Sequence, residues 1–110
     1  MKVLIMAKMT EALKKAQYRA ELKAKDHLQT LGYDVFRVSG KKRVFDLIGV
    51  NEGRVVGVRV KSCLKNRVPD YTELKVKIAD FKVPNYFKKY LWIEERRKRW
   101  HRTRIKHGTI

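Results

Sequence analysis

The chain has little cysteine, little proline and few acidic residues. Its 110 residues include one cysteine, Cys63, and two prolines. A single cysteine rules out an internal disulfide and indicates a reducing compartment, so we expect a cytoplasmic protein. The three histidines have no zinc-ligand spacing with Cys63, which argues against a zinc finger. No apolar run approaches the ~18 residues of a membrane span, and the run 3–6 is too short for a signal peptide.

Positive charge is what the chain has in excess. Lysine and arginine together number 28 against 11 acidic residues, a net charge of +17. With 44% hydrophobic and 35% charged residues, the composition is that of a globular chain rather than a disordered one. The length predicts a single domain over residues 1–110. Such a charge exceeds what solubility requires and indicates a polyanionic partner, in particular nucleic acid.

The first half of the chain has a helical pattern followed by three strand patterns. Apolar residues recur at three- and four-residue steps over 10–31, and Gly32 suits the end of that helix; residues 1–9 either extend it or form a short strand. Strands are predicted over 35–38, 44–50 and 54–62. The last two flank a tight turn and should form an antiparallel hairpin.

The second half predicts one more helix and two more strands. Asp70 and Glu73 have the spacing of a capping box, and an apolar stripe follows them up to residue 81. Segments 90–94 and 100–105 are predicted strands. The order α-β-β-β-α-β-β predicts an α/β fold, a mixed sheet flanked by helices.

Two basic clusters are candidates for nucleic-acid contact. Their members are Lys41, Lys42 and Arg43 in one, and Arg96, Arg97, Lys98, Arg99, Arg102 and Arg104, with Trp100 among them, in the other. Clustered cations bind the phosphate backbone with release of counterions, and aromatic rings can stack on bases. The alternative for each cluster is a solvated loop without a partner.

Three ionisable residues form a candidate catalytic group. Asp46 interrupts an otherwise apolar strand, where a carboxylate is costly unless it is paired or bound to a cation. Lys61 lies on the polar face of the next strand, and Glu21 lies on the shoulder of the buried face of the first helix. An acid and a lysine at one end of a hairpin can hold a divalent cation and a water beside a phosphodiester. The alternative is a plain Asp46–Lys61 ion pair.

Residues 17–62 resemble the PD-(D/E)XK nucleases, and within them the small archaeal-type and phage Holliday-junction resolvases. Glu21 matches the acid of the first helix, Asp46 the strand acid and Lys61 the motif lysine, while 39–42 match the basic Gly/Ser loop. The resemblance implies a restriction-endonuclease-like fold, Mg²⁺- or Mn²⁺-dependent cleavage of branched or structured DNA, a homodimer, and a prokaryotic, archaeal or viral origin.

The resemblance also implies a role for each site residue. Glu21, Asp46 and the backbone carbonyl of Val60 would hold Mg²⁺ or Mn²⁺. Lys61 would orient the attacking water and stabilise the charge that develops on the phosphorus centre.

Arg59 departs from the family pattern, because it stands where the motif has glutamate, 13 residues after Asp46. At ~4 Å and an effective dielectric of about 20, each unit of charge there is worth roughly 4 kcal/mol against the metal. We therefore expect weakened metal binding unless another acid compensates. The acids that could do so are Glu73, Glu94 and Glu95, and Gln17 is a further candidate ligand.

The residues therefore leave three functions open. The first is a metal-dependent DNA endonuclease whose catalysis Arg59 weakens. The second is a nuclease-fold module that has lost metal chemistry and retains DNA binding, in which Arg59 serves phosphate binding. The third is a basic RNA-binding protein, which explains the charge but makes the pairing of Asp46 with Lys61 a coincidence.

Overall fold

The computed structural model describes residues 2–65 and 67–106, with side chains from residue 11 onward; Met1 lies outside the described residues. The elements in chain order are α1 (Lys2–Thr30), β1 (Asp34–Arg37), β2 (Leu47–Asn51), β3 (Arg54–Cys63), α2 (Thr72–Asp80), β4 (Phe87–Glu95) and β5 (Arg99–Ile105). The predicted element order is confirmed. Within the described part of the chain, no helix combines the length and hydropathy that a membrane span requires.

One mixed sheet contains all five strands, in the order β1-β2-β3-β4-β5. Neighbouring strands are antiparallel except β3 and β4, which run parallel. A parallel pair needs a crossover connection, and α2 lies in the segment that joins these two strands. The predicted hairpin of β2 and β3 is confirmed, with Asn51 opposite Arg54.

Each face of the sheet carries its own apolar core. Against α1, residues Val56, Val58 and Val60 of β3 pack with small helix residues such as Ala20 and Ala24. The opposite face packs against α2 and is built from Phe45, Cys63, Ile78, Ala79, Leu91, Ile93 and Ile105. Because β3 alternates between the two faces, Arg59 and Lys61 project away from the valines. The predicted α/β fold with helices flanking a mixed sheet is therefore confirmed.

Helix α1 is longer than the predicted segment 10–31, since its first residue is Lys2. Gly32 has φ +95° after the helix end, as its predicted role requires. The two ends of the predicted apolar stripe are nevertheless exposed, Leu13 at 51% and Leu31 at 55%. Both residues lie outside the stretch from Ala16 to Leu28, whose apolar side chains are buried.

Two local predictions were wrong at the start of an element. Strand β2 begins at Leu47 rather than Val44, because the segment before it is a loop in which the Arg43 side chain bonds back to the carbonyl of Gly40 and to Asp46. Helix α2 has no side-chain cap; the residue before it is Tyr71, with φ 53° and ψ 35°. The capping box predicted from Asp70 and Glu73 is therefore absent from this helix.

Close packing around Gly57 fixes the segment that carries Asp46. A Cβ at Gly57 would lie 2.7 Å from the ring of Phe87 and 2.9 Å from the ring of Phe45. These two rings pack with centroids 5.4 Å apart. The missing side chain thus lets Phe45 lie on the sheet, which positions Asp46, the next residue, at the end of β2.

Candidate functional site

A cleft of about 550 Å³ lies between α1 and the segments around β2 and β3. Its lining residues are Leu13, Lys14, Gln17, Tyr18, Glu21, Arg43, Arg59, Lys61, Ser62 and Tyr71. The structure therefore brings the predicted residues Glu21 and Lys61 together with Arg59. The lining contains four cationic side chains and one acidic side chain, so the cleft is electropositive.

Asp46 lies beneath this cleft and is 1% exposed. Its Oδ2 accepts the backbone N–H of Val60 at 2.7 Å, and its Oδ1 accepts Nε of Arg43 at 2.8 Å. Nε of Arg59 lies 3.6 Å from Oδ2. A buried carboxylate is stable only when its charge is compensated, and here two arginines provide the compensation. The Asp46–Lys61 ion pair, the alternative to a catalytic site, is not among the ion pairs of the described residues. Arg43 and Arg59 pair with Asp46 instead.

Arg59 is anchored at the inner end of the cleft. Its Nη1 donates to the carbonyl oxygen of Arg43 at 2.9 Å, and its side chain is 18% exposed. Two buried polar atoms of cleft residues, Nε of Arg59 and Oγ of Ser62, have no hydrogen-bond partner among the described residues. Buried polar atoms are rarely left without a partner; the nearest carboxylate to Nε of Arg59 is Asp46, at 3.6 Å, and Ser62 lines the cleft.

Glu21 is also compensated by arginine. It is 6% exposed, and its Oε1 accepts Nη2 of Arg37 at 3.2 Å. The guanidinium of Arg37 also lies over the ring of Tyr18, 4.9 Å from its centroid. Glu21 thus faces β1 and the cleft.

Gln17 connects α1 to β3. Its Nε2 donates to the carbonyl oxygen of Val60 at 2.6 Å and to Oε2 of Glu21 at 3.0 Å. Its Oε1 accepts the N–H of Ser62 at 3.0 Å. The backbone carbonyl that the resemblance assigns to the metal therefore already accepts a hydrogen bond, and both ends of the Gln17 amide are engaged.

Lys61 lies at the edge of the cleft, half-buried. Burial, followed by the charge of Arg59, lowers the pKa of Lys61 from 10.5; the carboxylates of Asp46 and Glu21 act in the opposite direction. Both acids are thus close enough to Lys61 to act on its charge. Lys61 also lines a neighbouring cavity with Tyr71, Thr72, Glu73 and Leu74.

The donor set around Asp46 does not fit a divalent cation. Mg²⁺ needs several free oxygen ligands, whereas the oxygens of Asp46 and Val60 already accept N–H groups and two guanidinium groups lie beside the carboxylate. Among the side chains that the structure describes, no three His, Cys, Asp or Glu residues are grouped so as to hold a metal.

The acids considered as replacements for the motif glutamate do not join Asp46 in such a group. Glu94 is 1% exposed and pairs with Lys23 of α1 at 2.8 Å. Glu95 binds the ring of His101 at 2.6 Å. Glu73 lies at the start of α2, in the cavity next to Lys61. The charge that Arg59 introduces is thus left without a compensating acid among these candidates.

The predicted DNA-contacting residues divide between two places. Lys41 and Lys42 are exposed in the loop before β2, beside Arg43 at the cleft. The second cluster forms the turn between β4 and β5 and most of β5; its exposed members are Arg96, Arg97, Lys98, Arg99, Arg102 and Arg104. Trp100 is half-buried and packs edge-on against Trp92, with centroids 6.2 Å apart.

Two of the site's residues had escaped sequence reasoning in the role they take. The sequence gives no indication of Arg37, and it indicates Arg43 as a DNA contact rather than as a partner of Asp46. A signal for Arg43 was present, since an arginine three residues before a buried aspartate can reach it. For Arg37 no such signal exists, because its contact with Glu21 depends on how α1 crosses β1.

Comparison with known proteins supports the fold. No protein-family model and no curated protein sequence matches the chain. Among solved structures, the chain is similar to Hjc of Archaeoglobus fulgidus, a Holliday junction resolvase from an archaeal hyperthermophile. The TM-score is 0.56 at 20% identity, and the match covers 79% of this chain and 74% of that chain. The fold is thus that of an archaeal Holliday junction resolvase.

Proposed function

We propose that the protein binds branched or structured DNA and that its nuclease-like cleft takes a backbone phosphate without a divalent metal. The observation that carries this proposal is the pair of arginines, Arg43 and Arg59, on the buried carboxylate of Asp46. Guanidinium groups here take the place that the resemblance gives to the metal. Glu21 and Asp46 then position and balance the arginines, and Lys61 adds a further cation for the phosphate, so that none of the three takes part in cleavage.

The cleft has the properties of an anion site. Its lining is predominantly cationic, and the buried Oγ of Ser62 is a hydroxyl without a hydrogen-bond partner among the described residues. A phosphate oxygen is an acceptor that carries the complementary charge, and arginine binds it in a fixed geometry. Lys41 and Lys42, exposed beside the cleft, would contact the flanking phosphates.

The choice of DNA structure rests on the fold. Hjc, a solved structure to which the chain is similar, is a Holliday junction resolvase. Branched DNA is therefore the first substrate class to test. A homodimer is proposed on the same ground, because a four-way junction has two-fold symmetry and two symmetric contacts suit it.

A second candidate is a metal-dependent endonuclease of weakened activity. It is favoured by the convergence of Glu21, Lys61 and the Asp46–Val60 pair at one cleft. Mg²⁺ or Mn²⁺ would then have to displace Arg59 from Asp46 and Gln17 from the Val60 carbonyl. Lys61 would orient the water, as the resemblance implies. This candidate differs from the first in one measurable respect, which is cleavage.

The experiment compares binding and cleavage on the same substrates. A four-way junction, a flap, a linear duplex, single-stranded DNA and a hairpin RNA are each titrated with the protein in EDTA, and then incubated with Mg²⁺ or Mn²⁺. We expect metal-free, salt-sensitive binding that is tightest for branched DNA, and no cleavage. Cleavage by the wild type would favour the endonuclease; preference for the RNA hairpin would overturn the proposal.

Arg59 variants separate the two candidates further. Arg59→Glu restores a carboxylate two residues before Lys61 and should create or increase Mg²⁺-dependent cleavage while weakening binding in EDTA. Arg59→Gln is the matched control, because it removes the cation without adding a ligand. If Arg59→Glu cleaves no better than Arg59→Gln, position 59 does not govern the metal.

A further inference from the structure

Strand β5 is an edge of the sheet and presents a row of cations on one face. It pairs only with β4, and the register places Trp100, Arg102 and Arg104 opposite Glu94, Trp92 and Tyr90. Residues opposite one another in an antiparallel pair share a face. Trp92 belongs to the core beneath α1, so the two arginines lie on the α1 face of the sheet.

Arg102 is held in place by an aromatic surface. Its guanidinium lies over the ring of Trp92 at 4.9 Å from the centroid, and Trp92 packs edge-on with Trp100 and His27. Stacking engages the flat face of a guanidinium and leaves the N–H groups at its edge directed outward. In the part of the chain whose side chains are described, neither Arg102 nor Arg104 is in an ion pair with an acid.

The turn that leads into β5 has a strained backbone and carries further cationic side chains. Arg96 has φ 50° and Arg97 has φ 62°, left-handed values at which a tight hairpin turn normally has glycine, asparagine or aspartate. The turn is fixed by hydrogen bonds from the N–H of Arg96 to the carbonyl of Cys63 at 2.7 Å and from the N–H of Lys98 to that of Glu95 at 3.0 Å. The two arginine side chains are thereby held at an exposed tip despite an unfavourable backbone.

Helix α1 separates this surface from the cleft. Glu21 lines the cleft, whereas Lys23, about 160° away around the helix, reaches β4 by its ion pair with Glu94. His27 contacts Trp92 on the same side as Lys23. A nucleic-acid strand in the cleft therefore lies on the other side of α1 from one that follows β5.

We infer that the β4–β5 hairpin, through its turn 96–98 and the β5 residues Arg102 and Arg104, is a second binding surface for the phosphate backbone of DNA, separate from the cleft. This inference rests on the proposed DNA binding and adds a second contact to it. Charge complementarity identifies the occupant, because a row of unpaired guanidinium groups along an edge strand fits a polyanionic backbone. A branched DNA, with arms that diverge, can occupy both surfaces at once.

The test measures affinity for a four-way junction against salt concentration, in EDTA. The hairpin variant is Arg102→Glu with Arg104→Glu. The matched control is Lys77→Glu with Lys82→Glu, an equal change of charge at exposed positions in and just after α2. Two lost phosphate contacts should lower the slope of log affinity against log salt by about 2 and weaken binding by at least about tenfold, while the control changes little.

A second hairpin variant guards against misfolding, because Arg102→Glu also removes the stacking on Trp92. Lys98→Glu with Arg104→Glu leaves that ring pair intact and should give the same loss of slope. Combination with Lys61→Gln in the cleft should add a further, independent loss.

The inference fails if either folded hairpin variant binds with the slope and affinity of the control. Self-association of such variants would then show that these arginines only protect the sheet edge. If the wild type itself binds DNA without salt dependence, it is the proposed function that fails.

Discussion

The side-chain amide of Gln17 caps the backbone carbonyl of Val60, with Nε2 donating at 2.6 Å. The same side chain accepts the N–H of Ser62 at 3.0 Å. One residue of α1 thus binds β3 on both sides of Lys61. An amide N–H therefore occupies this carbonyl, and two arginines lie against the carboxylate of Asp46.

Gln17→Glu should remove this hydrogen bond to the carbonyl of Val60. Comparison with the Gln17→Glu/Arg59→Glu double variant then tests whether Arg59 prevents binding of a divalent metal. Loss of the N–H to Val60 and repulsion from Glu21 should lower the free energy of unfolding by about 1–3 kcal/mol. Mn²⁺ should restore part of that loss in the Gln17→Glu/Arg59→Glu double variant but not in the single variant. Urea unfolding with and without Mn²⁺ measures both. Equal stabilisation of the two variants by Mn²⁺ would contradict the role assigned to Arg59.

Asp46→Asn should destabilise the fold without impairing DNA binding. The amide keeps an acceptor for the N–H of Val60 but leaves Arg43 and Arg59 without a buried counter-ion, which should cost about 3 kcal/mol. The freed guanidinium groups should make affinity for DNA in EDTA equal to or higher than that of the wild type. A variant that remains folded but binds DNA more weakly would show that Asp46 is needed for the contact itself.

The lowered pKa of Lys61 predicts an alkaline loss of DNA affinity. Its cationic form contributes fully below the lowered pKa, and that contribution disappears as pH rises through it, before an ordinary lysine deprotonates. Lys61→Arg keeps the charge and should remove this loss, which titrations across pH can measure. Identical pH profiles for wild type and Lys61→Arg would contradict the assignment.

The stability of the free protein should change with pH in the opposite sense. The unfolded chain keeps the Lys61 proton up to about 10.5, whereas the folded protein releases it earlier. The free energy of unfolding should therefore rise with pH between the lowered pKa and 10.5, as far as Lys61 determines it.

Lys89 should contribute strongly to the stability of the fold, although it does not line the cleft. It is 1% exposed, and its Nζ donates to the carbonyls of Ile78, Ala79 and Phe81 at 2.8–2.9 Å, which ends α2. Lys89→Met should remove this shared donor from the three carbonyls and lower the free energy of unfolding by about 1–3 kcal/mol. Lys88→Met is the control and should change it little. Equal effects would show that the cap contributes nothing.

The fold was predictable where it depends on local pattern. The alternation of Val56, Val58 and Val60 and the turn before them determine the hairpin of β2 and β3. Lys89 shows the limit of such patterns: a lysine in a strand is expected at the surface, and only the end of α2 packed above it makes burial favourable. The absence of a side-chain cap on α2 has a similar origin. Tyr71, the residue before this helix, has a left-handed backbone conformation, which the spacing of Asp70 and Glu73 does not indicate.

The clustering of the Glu21, Asp46 and Lys61 side chains was predictable from the sequence, but their hydrogen-bond and ion-pair partners were not. The positions of Glu21, Asp46 and Lys61 along the chain indicated a common site, and the structure places them around one cleft. Their partners depend on how α1 lies across the sheet, which brings Arg37 to Glu21 and Lys23 to Glu94. These contacts join residues that are far apart in sequence, so no local pattern records them.

Calorimetric titration of the wild-type protein with Mn²⁺, alongside Arg59→Glu, tests the cationic centre most directly. The account predicts no specific binding by the wild type and a saturable site in Arg59→Glu, because a carboxylate then replaces the guanidinium beside Asp46. Arg59→Gln should remain without a saturable site. Saturable Mn²⁺ binding by the wild type that Asp46→Asn abolishes would contradict the account.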